Sequence, residues 1–205
     1  MLVGVTDADA RVSVVPANQA GCHDLQTVFG SRGTGFRCQC QRYKLAPRES
    51  FASFPVEERV FRLRQQTDCG HTESDATSGL VAYIDGEPVG WCAFEPRSAY
   101  PGLLRNNRVP WLGRSEDKAD DTVWALTCVF ARAGFRRRGV SRALVEAAVT
   151  FARHRGARAI EGYPMTTTDV IDEELHVGTM SIFAAAGFTE VIRPTIRRAV
   201  MRLDF

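Results

Sequence analysis

The chain has 205 residues, 44% of them hydrophobic and 24% charged, with 26 lysines and arginines against 24 acids. That is enough for one large domain with a full core, or at most two small ones, and a net charge of +2 excludes a strongly basic nucleic-acid coat and an acidic disordered tail. No apolar run approaches the roughly 18 residues that span a bilayer, and the N-terminus, with early acids and no positive segment before an apolar core, is not a signal peptide.

VSVVP (Val12–Pro16) reads as a short strand and Asn18–Phe29 as a weakly amphipathic helix. Gly30–Ser53 is rich in Gly, Cys and Arg and reads as irregular. In PVEERVFRLRQQ, Pro55 stands at a first helical position, and Val56, Val60 and Leu63 recur at helical spacing. GLVAYID and EPVGWCAFE are strands joined at Asp85-Gly86, a strong hairpin signal. Residues 97–120 form a long polar loop with Tyr100, Trp111 and several arginines. Thr122–Phe130 is a strand with almost no polar residues, expected to be buried on both faces.

After ARAGFRRRG, a loop, a strong helix starts at Val140. Val140, Leu144, Ala147, Ala148 and Phe151 share one stripe, cations crowd the last turn, and Gly156 follows as a C′ glycine. ARAIEGY is a strand, GTMSIFAAAGF a short helix ending at Gly187, and FTEVI and RRAVMRLDF two closing strands. Strand, basic glycine loop, helix, strand is a βαβ unit, which calls for a parallel strand pair.

Cys92 and Cys128, two of the six cysteines, lie in apolar runs and read as core. Cys22, Cys38, Cys40 and Cys69 read as reduced thiols, which places the protein in a reducing compartment, the cytoplasm. Cys38-Gln-Cys40 with Cys69-Gly-His71 offers a tetrahedral zinc set as a competing reading. Its one-residue spacings depart from the commoner pattern, and no metal is expected. His154, near a helix C-terminus, reads as a dipole-favoured surface residue.

The informative segment is Arg136-Arg137-Arg138-Gly139-Val140-Ser141, between a buried strand and a helix. Gly139 permits a tight turn and close approach to a ligand. The first helical N–H groups lack partners, and the macrodipole adds about half a positive charge. Arg132 and Arg142 bring the arginines to five within eleven residues. A solvated face or a nucleic-acid patch could look the same. Bracketing by a strand and an amphipathic helix in an otherwise non-basic chain favours a phosphate site. The absence of Gly-Lys-Ser/Thr excludes a Walker loop, and a single glycine in the turn excludes a dinucleotide fingerprint.

Arg136-x-x-Gly139-x-Ser141 resembles the R/Q-x-x-G-x-G/A motif of the GNAT superfamily of acyl-CoA-dependent N-acetyltransferases. TCVFARAGFRRRGVSRALVEAAVTFARHRGARAIEGYP is similar to the family's fourth strand, pyrophosphate loop, third helix and fifth strand. SIFAAAGF resembles its fourth helix, and DGEPVGWCAF its second-to-third strand hairpin. The resemblance is strongest over 79–205; residues 1–78 hold a strand, helices and the irregular cysteine-containing segment. It implies a single α/β domain over 1–205: a mixed, mostly antiparallel sheet with a central splayed parallel pair and helices on both faces. Acetyl-CoA is the implied co-substrate. Backbone groups of Val129, Phe130 and Ala131 would bond its pantetheine arm. Arg136, Arg137, Arg138, Gly139, Val140, Ser141 and Arg142 would cradle the pyrophosphate, and Phe183 would flank the thiol end. Ser141 stands where the family has Gly or Ala. Phe183 stands where it often has a tyrosine able to protonate the leaving thiolate.

The implied reaction is attack of a primary amine on the thioester. Val129 N–H would be the oxyanion donor. Glu161, in an otherwise apolar strand, would be the base, since a carboxylate among apolar neighbours suits base work near neutral pH. Alternation puts Tyr163 on the same face as a candidate acid. Pairing of Glu161 with an arginine, and Tyr163 as an ordinary strand-end aromatic, are the competing readings; Ser181 and Cys128 are further candidates. The segment Met165–Val177, with Asp169, Asp172, Glu173 and Glu174, could draw in a cationic amine or be a solvated loop. The loop 97–120 could form the opposite wall. The acceptor is expected to be a small-molecule or protein amine, with no membrane or nucleic-acid partner; a homodimer is compatible with the sequence. The rivals are a non-catalytic acyl-CoA-binding module, which Phe183 favours, and nucleic-acid binding through the arginine loop.

Overall fold

A computed structural model of the chain describes residues 12–75, 77–106, 108–171 and 174–205. In chain order its main elements are β1 (Val12–Pro16), α1 (Cys22–Phe29), α2 (Gly33–Cys38), α3 (Val56–Thr67), β2 (Gly79–Ile84), β3 (Glu87–Pro96), α4 (Pro101–Arg105), β4 (Val123–Ala131), α5 (Val140–His154), β5 (Ala159–Gly162), α6 (Met180–Ala185), β6 (Thr189–Thr195) and β7 (Arg198–Asp204). The strands form one seven-stranded sheet in the order β1-β2-β3-β4-β5-β7-β6. Every neighbouring pair is antiparallel except β4 with β5, the two strands that α5 connects.

Side-chain alternation sends the apolar residues of the strands to both faces. On one face Leu80, Cys92, Phe94 and Leu126 meet Leu144, Val145 and Ala148 of α5, with Phe183 of α6 beside them. α5 buries Val140, Leu144, Val145, Ala148 and Ala152, close to the predicted stripe. On the other face Val81, Trp91 and Cys128 pack against Leu25 and Phe29 of α1 and Leu63 of α3. Further along that face Tyr100 and Leu103 cover Ala125, Tyr163 and Val200. Helices therefore lie on both sides of the sheet.

The structure departs from the sequence reading at several places. The first helix starts at Cys22, because Ala17–Gln19 is a separate 3₁₀ turn. The stretch read as irregular contains α2, six residues with two glycines, too short for a periodic signal. Within 97–120, Arg97–Ala99 is a 3₁₀ turn, α4 follows, and Trp111 is buried with its Nε1–H donating to Leu103 O at 3.1 Å. The segment read as a long polar loop is thus partly helical and covers the sheet as a lid. Cys22 and Cys69 are not reduced thiols: they are joined in a disulfide, with Cα atoms 5.1 Å apart. Both lie in the contact cluster formed by α1 and α3, which brings their Cα atoms into bridging range. Among the described residues no helix is long and apolar enough to cross a membrane.

Candidate active site

The site arises where β4 and β5 part. They pair from Val123↔Ala159 to Leu126↔Gly162, and β4 then continues alone to Ala131. What stops β5 is visible at Gly162. A Cβ there would sit 2.1 Å from the Phe183 ring, so α6 occupies the place that a side chain would need. Phe183 is fully buried and meets Phe188 edge-to-face, with centroids 5.1 Å apart.

β4 beyond the fork has one partnered and one free edge. Arg132 N–H donates to Val89 O at 2.8 Å, and antiparallel alternation then turns the polar groups of Phe130 toward β3. The N–H and C=O of Val129 and Ala131 therefore point into the gap. Following Arg132 the chain turns back through Arg137 (φ 63°) and Gly139 (φ 78°) into α5. Gly139 is the N-cap, with no side-chain cap bond, and the first intrahelical donor is Ala143 N–H to Gly139 O at 3.0 Å. The amides of Val140, Ser141 and Arg142 are left without intrahelical acceptors, at the positive end of a 15-residue dipole.

A cleft of about 830 Å³ runs along this free edge to the helix terminus. Of the expected ligand-holding residues, Val129, Phe130 and Ala131 line it from β4, and Arg136, Arg137, Gly139, Val140, Ser141 and Arg142 from the loop and α5. Arg138 does not line it; its guanidinium lies 5.4 Å from the Phe135 ring centroid. Phe183 does not line it either, being sunk in the core beneath Gly162. The wall expected of Phe183 is made by Leu175, His176, Thr179 and Ile182 instead. The opposite wall is built by Arg32, Gly35, Cys38, Cys40 and Arg42, with Cys128 at the base.

Glu161 and Tyr163 lie elsewhere. Glu161 is fully buried on the face covered by the 97–120 lid. It accepts from Arg97 Nη1 (3.4 Å), Arg202 Nη1 (3.0 Å) and Arg114 Nη1 (3.3 Å), with a further contact from Arg114 Nη2. The Tyr163 hydroxyl donates to its other side at 3.1 Å. Three guanidiniums and a phenol fill its lone pairs, and neither residue lines the cleft. The arrangement is a buried ion hub that clamps the lid to β5 and β7, not an amine-facing base. Burial first, then the neighbouring Glu161 charge, pushes the Tyr163 phenol well above its ordinary value. Glu116 joins the hub through Arg97 (3.1 Å) and Arg202 (3.2 Å). Its burial would raise its pKa, but bonds from Arg114 and Arg97 prevail and hold it at about 2.

The zinc reading fails on connectivity, since Cys69 is bonded to Cys22; among the described residues no group of three or more His, Cys, Asp and Glu is placed to hold a metal. Of the acids in the 165–177 segment, Glu174 pairs with Arg197 at 2.6 Å, and Asp172 and Glu173 lie outside the described residues. The sequence reading missed His176, Thr179 and the Arg32–Arg42 wall. The Cys38–Cys40 spacing was their one visible signal, and it suggested zinc.

A model of the acetyltransferase (GNAT) family matches residues 42–167. Curated protein sequences contain no match. Among solved structures, a GCN5-related N-acetyltransferase from Kribbella flavida is 18% identical, with TM-score 0.53, covering 95% of this chain and 98% of its own. A ribosomal-protein-alanine N-acetyltransferase from Brucella melitensis is 16% identical (TM-score 0.52, 94% and 99% covered). The PaiA N-acetyltransferase from Thermoplasma acidophilum, solved with coenzyme A, is 12% identical (TM-score 0.50, 95% and 99% covered). At these identities the structures speak for the fold.

Proposed function

The chain belongs to the GNAT family of acetyltransferases, and from that premise we propose that its cleft binds acetyl-CoA and delivers the acetyl group to a primary amine. The observation that carries the reading is the continuity of the cleft. Outward-facing backbone groups of Val129 and Ala131 lead directly to the open amides of Val140, Ser141 and Arg142. An extended amide-bearing arm ending in a pyrophosphate needs this donor set: strand-like pairing for the arm and a helix N-terminus for the anion.

Acetyl-CoA supplies an activated acyl group as a thioester. The chain's own contribution is positional and electrostatic. The α5 terminus and the Arg136–Arg142 loop fix the anion, and Ser141, small enough for the turn, adds a hydroxyl beside it. The free edge of β4 holds the arm straight. The Val129 N–H, turned into the gap, is the donor available to a developing oxyanion, worth about 2.7–4 kcal/mol in comparable sites. No tyrosine stands at 183, so thiolate protonation is assigned to a group on the cleft wall.

Thermal unfolding with and without acetyl-CoA tests the reading. At about 100 times its Kd the ligand should stabilise the protein by about 2.7 kcal/mol, raising Tm by several degrees. The Arg137→Glu/Gly139→Asp double variant should lose that rise. A wild-type protein unmoved at saturation would overturn the reading; a rise confined to the wild type would justify screening amines by thiol release.

A further inference from the structure

The cleft wall carries a nucleophile that amine transfer by direct attack does not use. Cys40 follows α2, lines the cleft, and stands across from Cys128 of β4. Trp91 Nε1–H donates to Cys40 Sγ at 3.2 Å, and Cys40 packs against the apolar cluster that holds Cys128. An indole N–H aimed at a cleft-lining sulfur favours the thiolate. The neighbouring Cys128 thiol is the largest influence on Cys40; with Trp91 and the nearby Lys44 charge it brings the thiol below its ordinary value, against burial and Glu95. The neighbours behave oppositely. Burial pushes Cys38 and Cys92 up, and Cys128 rises through its neighbour Cys40 and its own burial. Of the four free thiols, Cys40 is the one that is lowered, and it is the one that lines the cleft with an indole N–H on its sulfur.

Position points to the substrate. The anion end of the cleft is the α5 terminus, and the arm runs back along β4 from Ala131 to Val129. The next residue toward the fork is Cys128, with Cys40 facing it. The reactive end of an extended acyl-CoA therefore falls beside this pair.

We propose that Cys40 is a catalytic nucleophile that takes the acyl group from acyl-CoA as a thioester before an amine receives it. This rests on the acetyl-CoA reading of the cleft. In the first step Cys40 Sγ bonds to the thioester carbon and the carbon–sulfur bond to coenzyme A breaks. The electron pair leaves on the coenzyme A sulfur, and the proton lost by Cys40 ends there, with Cys128 as the adjacent donor. One thioester is exchanged for another and no oxidant is needed. In the second step the amine nitrogen bonds to the same carbon, the Cys40 sulfur departs with its electron pair, and the proton released by the amine returns it to a thiol.

The test uses the full-length protein, acetyl-CoA and no amine. Exchange of labelled coenzyme A into acetyl-CoA is expected, as is a hydroxylamine-labile single acetyl group that peptide mapping places on Cys40. Cys40→Ser should lose both while keeping its acetyl-CoA-dependent rise in Tm, which shows that it folds and binds. Cys128→Ala should slow exchange without abolishing it. A wild-type protein that acetyl-CoA stabilises, yet that shows neither exchange nor adduct, overturns the inference and leaves the transferase reading standing; so does an adduct that maps to Cys38. Should acetyl-CoA leave the wild-type Tm unmoved, the parent reading falls and this one with it. If Cys40→Ser does not fold, exchange and mapping in the wild type decide alone.

Discussion

Two arginine clusters flank the fork between β4 and β5, and they are put to opposite uses. Arg97, Arg114 and Arg202 surround Glu161, with Glu116 and Asp204 completing the charge balance, and Arg97 and Glu161 have no solvent exposure at all. In the other cluster five arginines lie between 132 and 142 with no acid among them, mostly exposed, around a helix terminus that adds positive potential. The first cluster finds its counter-charge within the chain and stabilises the fold. In the second, Arg132 pairs with Glu87 and Arg142 with Glu146, and the helix terminus between them lines the cleft, where an anionic ligand would add further counter-charge. Residue type is the same in both; what separates them is that one is packed around a buried carboxylate and the other around a helix terminus on the cleft.

The comparison can be broken at several points. The largest effect is expected from Glu161→Gln, which leaves buried guanidiniums short of a counter-ion. It should cost about 3–5 kcal/mol, a fall in Tm on the order of 10 °C, by calorimetry. A catalytic Glu161 would instead lose activity at unchanged Tm. Acid should act next, with Glu116 as the hub's acid-sensitive member. Glu116 is held at about 2 against an ordinary 4.5, so its contribution is present above pH 4.5 and is lost as pH falls toward 2. Urea unfolding at stepped pH should show that decline, and it should be shallower in Glu116→Gln.

The arginine loop should respond the other way. Arg137→Ala should leave stability within about 0.5 kcal/mol while weakening acetyl-CoA binding about tenfold or more, measured by calorimetric titration. The smallest effect is expected for Arg142, whose side chain reaches Glu146 at 2.8 Å one turn on. Losing that exposed pair in Glu146→Ala should cost no more than about 0.5 kcal/mol.

The same contrast explains what could be read before the structure. The β4–loop–α5–β5 unit is contiguous, periodic and punctuated by Gly139 and Gly156, so both its elements and its anion site were visible in the amino-acid order. The hub was not. Its members come from positions 97, 114, 161 and 202, which only the fold brings together, and Glu161 in an apolar strand looks the same whether it awaits an amine or three guanidiniums. The Cys40 wall was hidden for a related reason: α2 is too short to announce itself, and the Trp91 and Cys128 that address Cys40 lie on strands far along the chain. Phe183 was recognised as a departure from the family, but its burial beneath Gly162 is a packing fact with no local signature.

The Cys22–Cys69 bond spans 47 positions, and everything that the N-terminal half contributes to the cleft wall lies inside that span. The wall is thus a closed ring of chain. A protease that cuts at the exposed Arg48 turn severs the polypeptide without releasing either piece. The nicked protein would run as two fragments on a reducing gel and as one on a non-reducing gel, with α2 and Cys40 still tethered beside β4.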